Sequence, residues 1–168
     1  RRQRQMCIRD SKYSVETPVL EVDVYIVDRD GTGYYLVNEP PMSDDELNTY
    51  SLVLDRLTYI LKPRAGERLT EEDYINYLSE ALNTIGERIG ISDRISRHQD
   101  KLLYYLFRDV FGYERIDVLM RDDGVEEISC VSHQNPLCIV HRQYGQYDWM
   151  STNIYFNDAD ELNRHVRR

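Results

Sequence analysis

Apolar and polar positions change period twice along this chain. Between Val19 and Val27 they alternate: Val22, Val24 and Ile26 fall on one face and Glu21, Asp23 and Tyr25 on the other, which predicts a strand. Asp28-Arg29-Asp30-Gly31-Thr32-Gly33 supplies a turn, and Tyr34 to Val37 the returning strand. Pro40-Pro41 ends it, because proline cannot donate to a ladder. A two-stranded hairpin is not stable alone, so it is expected to lie against the helices that follow.

From Ser43 the period lengthens to that of a helix. Leu47, Tyr50, Leu54, Leu57 and Leu61 form one stripe, with Val53 and Ile60 beside it. Ser43 and Glu46 have capping-box spacing, and Pro63 stops the helix after about Leu61. Lys62 to Leu69 reads as a loop. Thr70 followed by Glu-Glu-Asp opens a second helix, whose stripe of Tyr74/Ile75, Leu78, Ala81/Leu82, Ile85 and Ile89 ends at Gly90. A third, capped by Asp93, carries Leu102, Leu103, Leu106, Phe107, Val110 and Phe111 into Gly112. Three amphipathic helices with short connections predict a three-helix bundle.

Beyond Gly112 the pattern is mixed. Tyr113 to Asp117 reads as a turn and Val118 to Met120 as a last helical turn. Val125 to Val131 and Leu137 to Arg142 read as strands, Tyr144-Gly145-Gln146 as a turn, Tyr147 to Met150 as an extension of the sheet, and Thr152 to Phe156 as another strand. Asn157-Asp158 caps a final helix from Ala159 to Arg168. The fold class expected is therefore α+β. Residues 1–12 are a basic tail, 13–112 the hairpin plus three-helix bundle, and 113–168 a small α/β subdomain incomplete at its end. A first residue other than Met and a helical run still in progress at Arg168 suggest a piece of a longer protein.

Composition narrows the function classes. Hydrophobic residues make up 41% and charged residues 30%, ordinary for a folded soluble domain, and no apolar run has the length of a bilayer span. Net charge is −9, and the first twelve residues hold five basic side chains against one acid, so the remainder is more acidic still. Such a body disfavours a nucleic-acid backbone as its main partner. Three cysteines without an export signal read as free thiols in a reducing compartment.

Candidate chemistry is sparse. Gly31-Thr32-Gly33 precedes a strand and no Lys-Ser/Thr, so it is not a phosphate-binding loop, and no Walker A segment is present. Cys130, His133, Cys138 and His141 have soft-ligand chemistry and near-zinc spacing. Cys138 and His141, however, lie an odd number of residues apart and point to opposite faces of a strand, so core cysteines and surface histidines are favoured and no metal is assigned. Asp122, Asp123, Glu126 and Glu127 read as a solvated turn rather than an acid–base or cation site. The tyrosines are scattered and read as half-buried packing with wet hydroxyls.

Two stretches carry a family resemblance. One is Tyr34-Tyr35-Leu36-Val37-Asn38-Glu39-Pro40-Pro41-Met42-Ser43. The other starts at Phe111-Gly112-Tyr113, continues with Ile116-Asp117-x-Leu119-Met120-x-Asp122 and Val125-Glu126-x-Ile128-Ser129-Cys130, and runs on through Pro136, His141-Arg142-x-Tyr144-Gly145 and Thr152-Asn153-Ile154-x-Phe156. Together they resemble the N-terminal region of archaeal type II and type IV secretion ATPases, the motors of pilus and archaellum assembly. Val118 and Asp123 stand where that family usually has proline, and Ser132 to Asn135 replaces a glycine-bearing turn. The subfamily stays open among archaellum, pilus and secretion types.

The resemblance implies a helical subdomain followed by a PAS-like α/β domain. Both would serve as a non-catalytic docking and regulatory region of a hexameric ATPase at the cytoplasmic face of the membrane. ATP and Mg would belong to a motor domain beyond Arg168, with no cofactor in this region itself. Partners would be membrane-embedded and cytoplasmic components of the machine, the region's own motor domain and no nucleic acid. Arg121 and Arg142 would be the residues facing the nucleotide cleft. The alternatives are a free-standing interaction or sensor module without a motor, and a small metal enzyme built on the Cys/His set.

Overall fold

The structure is a computed structural model that describes residues 11–60 and 69–166. The tail over residues 1–10, Cys7, Leu61 with Pro63, most of the loop that follows them and the two final arginines lie outside the described residues. The fold is mixed α+β, and the chain divides into two compact units. One takes in residues up to Thr17, Glu21–Glu39 and Arg115 onward; the other takes in Pro18–Leu20 and Pro40–Glu114.

The first unit is built on one six-stranded sheet, order β1-β2-β3-β6-β5-β4. Its strands are β1 (Ser11–Glu16), β2 (Glu21–Arg29), β3 (Thr32–Asn38), β4 (Val125–Ser129), β5 (Cys138–His141) and β6 (Met150–Thr152). β2 and β3 are the expected hairpin, with Arg29 opposite Thr32, so the loop is the two residues Asp30-Gly31. Both have positive φ, 54° and 83°, as the tight turn that matches strand twist requires. Asp28 steadies it by accepting the Gly31 N–H at 3.0 Å. Alternation sends Val22, Val24, Ile26, Tyr35 and Val37 to the buried face.

The hairpin's strand neighbours differ from the expectation. It does not belong with the helical region: β1 pairs antiparallel along one edge and β6 parallel along the other, through Tyr34 opposite Ser151 and Tyr35 opposite Thr152. Asn153 extends that short parallel pairing, its side-chain amide exchanging two bonds (2.9 and 2.8 Å) with the backbone of Val37. β1 starts in the last two residues of the expected basic tail and runs through residues 13–16, to which no element was assigned; it shows only Tyr13 and Val15 as inward apolar positions. β6 lies before the strand expected over Thr152 to Phe156 and shares only Thr152 with it; residues 153–156 are not strand. Leu119, Leu137, Ile139, Met150 and Phe156 complete the core. α5 (Asp117–Arg121) is the expected single helical turn, and Asp158 caps α6 (Ala159–Val166) by accepting the Glu161 N–H at 2.7 Å.

The second unit contains α1 (Asp44–Ile60), α2 (Glu71–Ile89), α3 (Ser92–Arg97) and α4 (Gln99–Val110) around a core that includes Val53, Leu57, Leu78, Leu82, Ile85, Leu102, Leu106 and Phe107. In α2 and α4 these follow the predicted stripes; in α1 the buried face is shifted, with Val53, expected beside the stripe, fully buried and Leu47, expected on it, 46% exposed. Thr70 and Asp73 form a full capping box on α2, and Gly90 closes it in the left-handed conformation (φ 72°). The third predicted helix is broken at His98 into α3 and α4, and Asp93 does not cap it: the N-cap is Ile91.

The Ser43–Glu46 box is also present, at 2.7 and 3.3 Å. Glu46 is nearly buried (6% side-chain exposure) and additionally binds Lys101 Nζ at 2.7 Å and His98 Nδ1 at 2.9 Å, which ties the start of α1 to α4. The Lys101 ammonium, then the Ser43 N–H, lower its pKa from 4.5 to about 2. A carboxylate held below its unfolded value adds stability that is complete above 4.5 and is lost as pH falls toward about 2. The thermal midpoint of Glu46→Gln should therefore lie well below that of the natural chain above about pH 5, with the gap closing as pH falls. A gap that is constant with pH contradicts this account.

Candidate functional site

Asp122 occupies the position just past α5, where the chain turns toward β4. With Gly124 two residues on, it forms a side-chain turn: Oδ1 accepts the Gly124 N–H at 2.8 Å. That turn aims Oδ2 at the sheet, where two phenols meet it. Tyr13 of β1 donates at 2.5 Å and Tyr35 of β3 at 2.6 Å. His141, the last residue of β5, places Nε2 3.1 Å from the Tyr13 oxygen and 3.8 Å from Oδ2. Its Nδ1 accepts the Gln143 N–H at 3.2 Å, which fixes the proton of the neutral ring on Nε2. The order is then His141 N–H to Tyr13 oxygen, Tyr13 O–H to Asp122, and Tyr35 O–H to the same carboxylate oxygen. Tyr144 covers the imidazole, centroid to centroid 4.9 Å, and shares a 2.8 Å hydrogen bond with Ser11.

Burial sets the electrostatics. Asp122 is 7% and His141 2% exposed at the side chain, and Tyr35 is fully buried. Desolvation, followed by the bond to Asp122, raises the pKa of both phenols well above the usual tyrosine value. They are neutral donors throughout the physiological range. Burial lowers His141 below 6.5, and the Asp122 charge opposes this. Every polar atom in the chain of bonds has a complementary partner, and the phenols donate to an anion rather than surrender protons to a base. The arrangement therefore suits holding β1, β3, β5 and the α5–β4 turn in register better than attacking a substrate.

A histidine held neutral makes stability fall as pH drops. Below 6.5 the unfolded chain takes up a proton that the folded one resists, and the loss levels off beneath the folded pKa. NMR titration of the His141 ring should give a midpoint below 6.5. A midpoint above it would contradict the burial argument.

The residues singled out from sequence are placed as follows. Arg121 is drawn into a buried ion pair, its Nε 2.8 Å from Asp117 Oδ2, with the two side chains 17% and 1% exposed. Arg142 stands in solvent (68% exposed) 3.1 Å from Glu126. The Cys/His set is not assembled. His141 turns into the network and is buried, not superficial. Cys130 is half-buried, with Sγ on the Ser132 carbonyl and its thiol pKa raised by burial, and Cys138 lies against the Pro136 carbonyl. Among the described residues no group of three or more His, Cys, Asp or Glu is arranged to hold a metal ion. Asp122, expected in a solvated acidic turn, is instead the buried acceptor at the centre of the network. Its legible signal was the Asp-x-Gly spacing at a strand entry. Tyr13 and Tyr35 carried no signal beyond strand alternation.

No helix among the described residues is long and apolar enough to cross a membrane. No family model matches the chain. Over 132 residues it is 33% identical to the uncharacterised protein MJ1288 of Methanocaldococcus jannaschii, a match that covers 78% of this chain and 50% of that protein. A second protein of the same archaeon, the uncharacterised MJ0900, is 28% identical over 147 residues, 76% of this chain and 26% of its own length. The chain thus spans about half the length, or less, of the curated relatives it matches.

Proposed function

We propose that this chain is the non-catalytic docking and regulatory part of a secretion-, pilus- or archaellum-assembly ATPase, acting at the cytoplasmic face of the cell membrane. The observation that carries the reading is where the two family-like stretches meet. Tyr35 comes from the first, and Asp122, His141 and Tyr144 from the second, and all four converge on one buried network. A region that transmits a nucleotide-driven movement must itself be stiff, and such a network supplies stiffness to the sheet. The matches to archaeal proteins that extend well beyond this segment fit a region joined to further domains. Of the two arginines, Arg142 can reach a phosphate of an adjoining motor without breaking a buried pair; Arg121 cannot.

The test is to express the longest reading frame that contains this sequence and measure ATP turnover. Turnover is expected to need a lysine in a glycine-rich loop outside these residues, and the 168-residue chain alone is expected to show none above buffer. Removal of this region should leave ATP binding and abolish the response to assembly partners. Failure of the longer protein to bind ATP, or steady turnover by the short chain after rigorous purification, overturns the proposal.

A further inference from the structure

In the helical unit, α1 and α2 leave a groove of about 300 Å³ lined by Arg56, Tyr59, Ile60, Ile85, Arg88 and Ile89. Each helix contributes three residues at i, i+3 and i+4 spacing, so each wall is one continuous helical face. Ile85 forms the buried floor, Ile60 and Ile89 are half-buried, and Tyr59 stands 80% exposed at the rim. Tyr77 fixes the α1 end of the groove by donating to the Ile60 carbonyl at 3.2 Å. Arg56 and Arg88 are both exposed, one on each wall. Among the described residues no ion pair joins either guanidinium to an acidic side chain, and neither Asp55 nor Glu87, their neighbours in sequence, lines the groove.

We propose that this groove docks an acidic amphipathic helix of a partner protein. An apolar channel between two helices accepts a third helix through anchors at i, i+3, i+4 and i+7. The charges choose which helix. With one arginine on each wall, carboxylates flanking an incoming apolar stripe meet a guanidinium on both sides, and Arg presents a fork of donors suited to them. In a chain of net charge −9, two arginines over isoleucine that no described acidic side chain pairs form a local exception to the acidic surface, and this exception selects an acidic partner by position rather than by overall attraction. The inference stands whether or not a motor domain is attached.

The experiment uses the 168-residue chain and fluorescent peptides of about sixteen residues, with leucines at i, i+3, i+4 and i+7 and glutamates on both flanks. Saturable anisotropy is expected for this peptide, and none for a scrambled one of equal composition or for the version with lysine in place of glutamate. The double variant Arg56→Glu/Arg88→Glu should bind the acidic peptide about tenfold or more weakly and gain affinity for the lysine version. Both positions are exposed, so the fold should survive; an unchanged circular dichroism melt checks that. Ile89→Lys is the second variant and should lose the acidic peptide by breaking the half-buried apolar lining, even though it adds a positive charge. No saturable binding up to about 1 mM, equal binding of the scrambled peptide, or binding indifferent to the arginine reversal would each overturn the proposal.

Discussion

Asp122→Ala is expected to destabilise the sheet-bearing unit by about 3–5 kcal/mol, most of the margin a small domain has. The carboxylate accepts from both phenols and from the Gly124 amide. Charge-assisted bonds of this kind are each worth about 1.5–3 kcal/mol, and a buried donor left without an acceptor costs about 1–3 kcal/mol. Removing Asp122 strands two phenols at once, one of them fully buried. Tyr35→Phe removes one donor and leaves the acceptor served, so its cost should be nearer 1–2 kcal/mol, roughly one bond. In a double-mutant cycle the second substitution should cost much less on the Asp122→Ala background. Denaturant unfolding followed by near-ultraviolet tyrosine signals measures all three. If Asp122→Ala stays within about 1 kcal/mol of the natural chain, the network contributes little to stability.

Gly124→Ala should cost about 2–3 kcal/mol, although it adds one methyl group. Gly124 has no positive φ, so its backbone alone would admit alanine. What forbids it is close approach: an added Cβ would sit 2.2 Å from His141 Nε2 and 2.3 Å from Cε1. The ring cannot easily retreat, since Nδ1 is tied to the Gln143 amide and Tyr144 covers it. The added methyl therefore pushes His141 out of the chain of hydrogen bonds or moves the β4 entry away from β5. Pairing Gly124→Ala with His141→Ala should cost less than the two separately, because the methyl then enters the space the ring vacated. Additive costs would show that the clash is relieved some other way.

What was legible from sequence follows from how local each signal is. Stripes and caps are written within one helix, and so α1 and α2, the boxes at Ser43 and Thr70 and the Gly90 stop were all readable. The Asp30-Gly31 turn and the in–out alternation of β2 and β3 were readable for the same reason. Alternation gives a face but not a neighbour: nothing within Tyr34 to Val37 says that β6, more than a hundred residues later, lies parallel beside it. Ser11–Glu16 has one aromatic and one valine among polar residues, too little for a strand assignment beside a basic arm. The acidic run at Asp122 misled because charge predicts exposure only on average; two phenols from other strands make one of its members an interior residue.

The same habit recurs elsewhere in the molecule: Tyr50 donates to Asp109 and Tyr147 to Asp28. A protein with thirty acidic residues against twenty-one lysines and arginines thus solvates several of its inward-facing anions with phenols, beside the ion-paired Glu46 and Asp117. Dissolved salt screens attraction between exposed opposite charges far more than a short dipole–anion bond in the dry interior. Concentrated brine should therefore loosen surface pairs such as Lys12–Asp23 while leaving the tyrosine-bound carboxylates in place, giving this chain a tolerance for ionic strength that a count of its salt bridges would not anticipate.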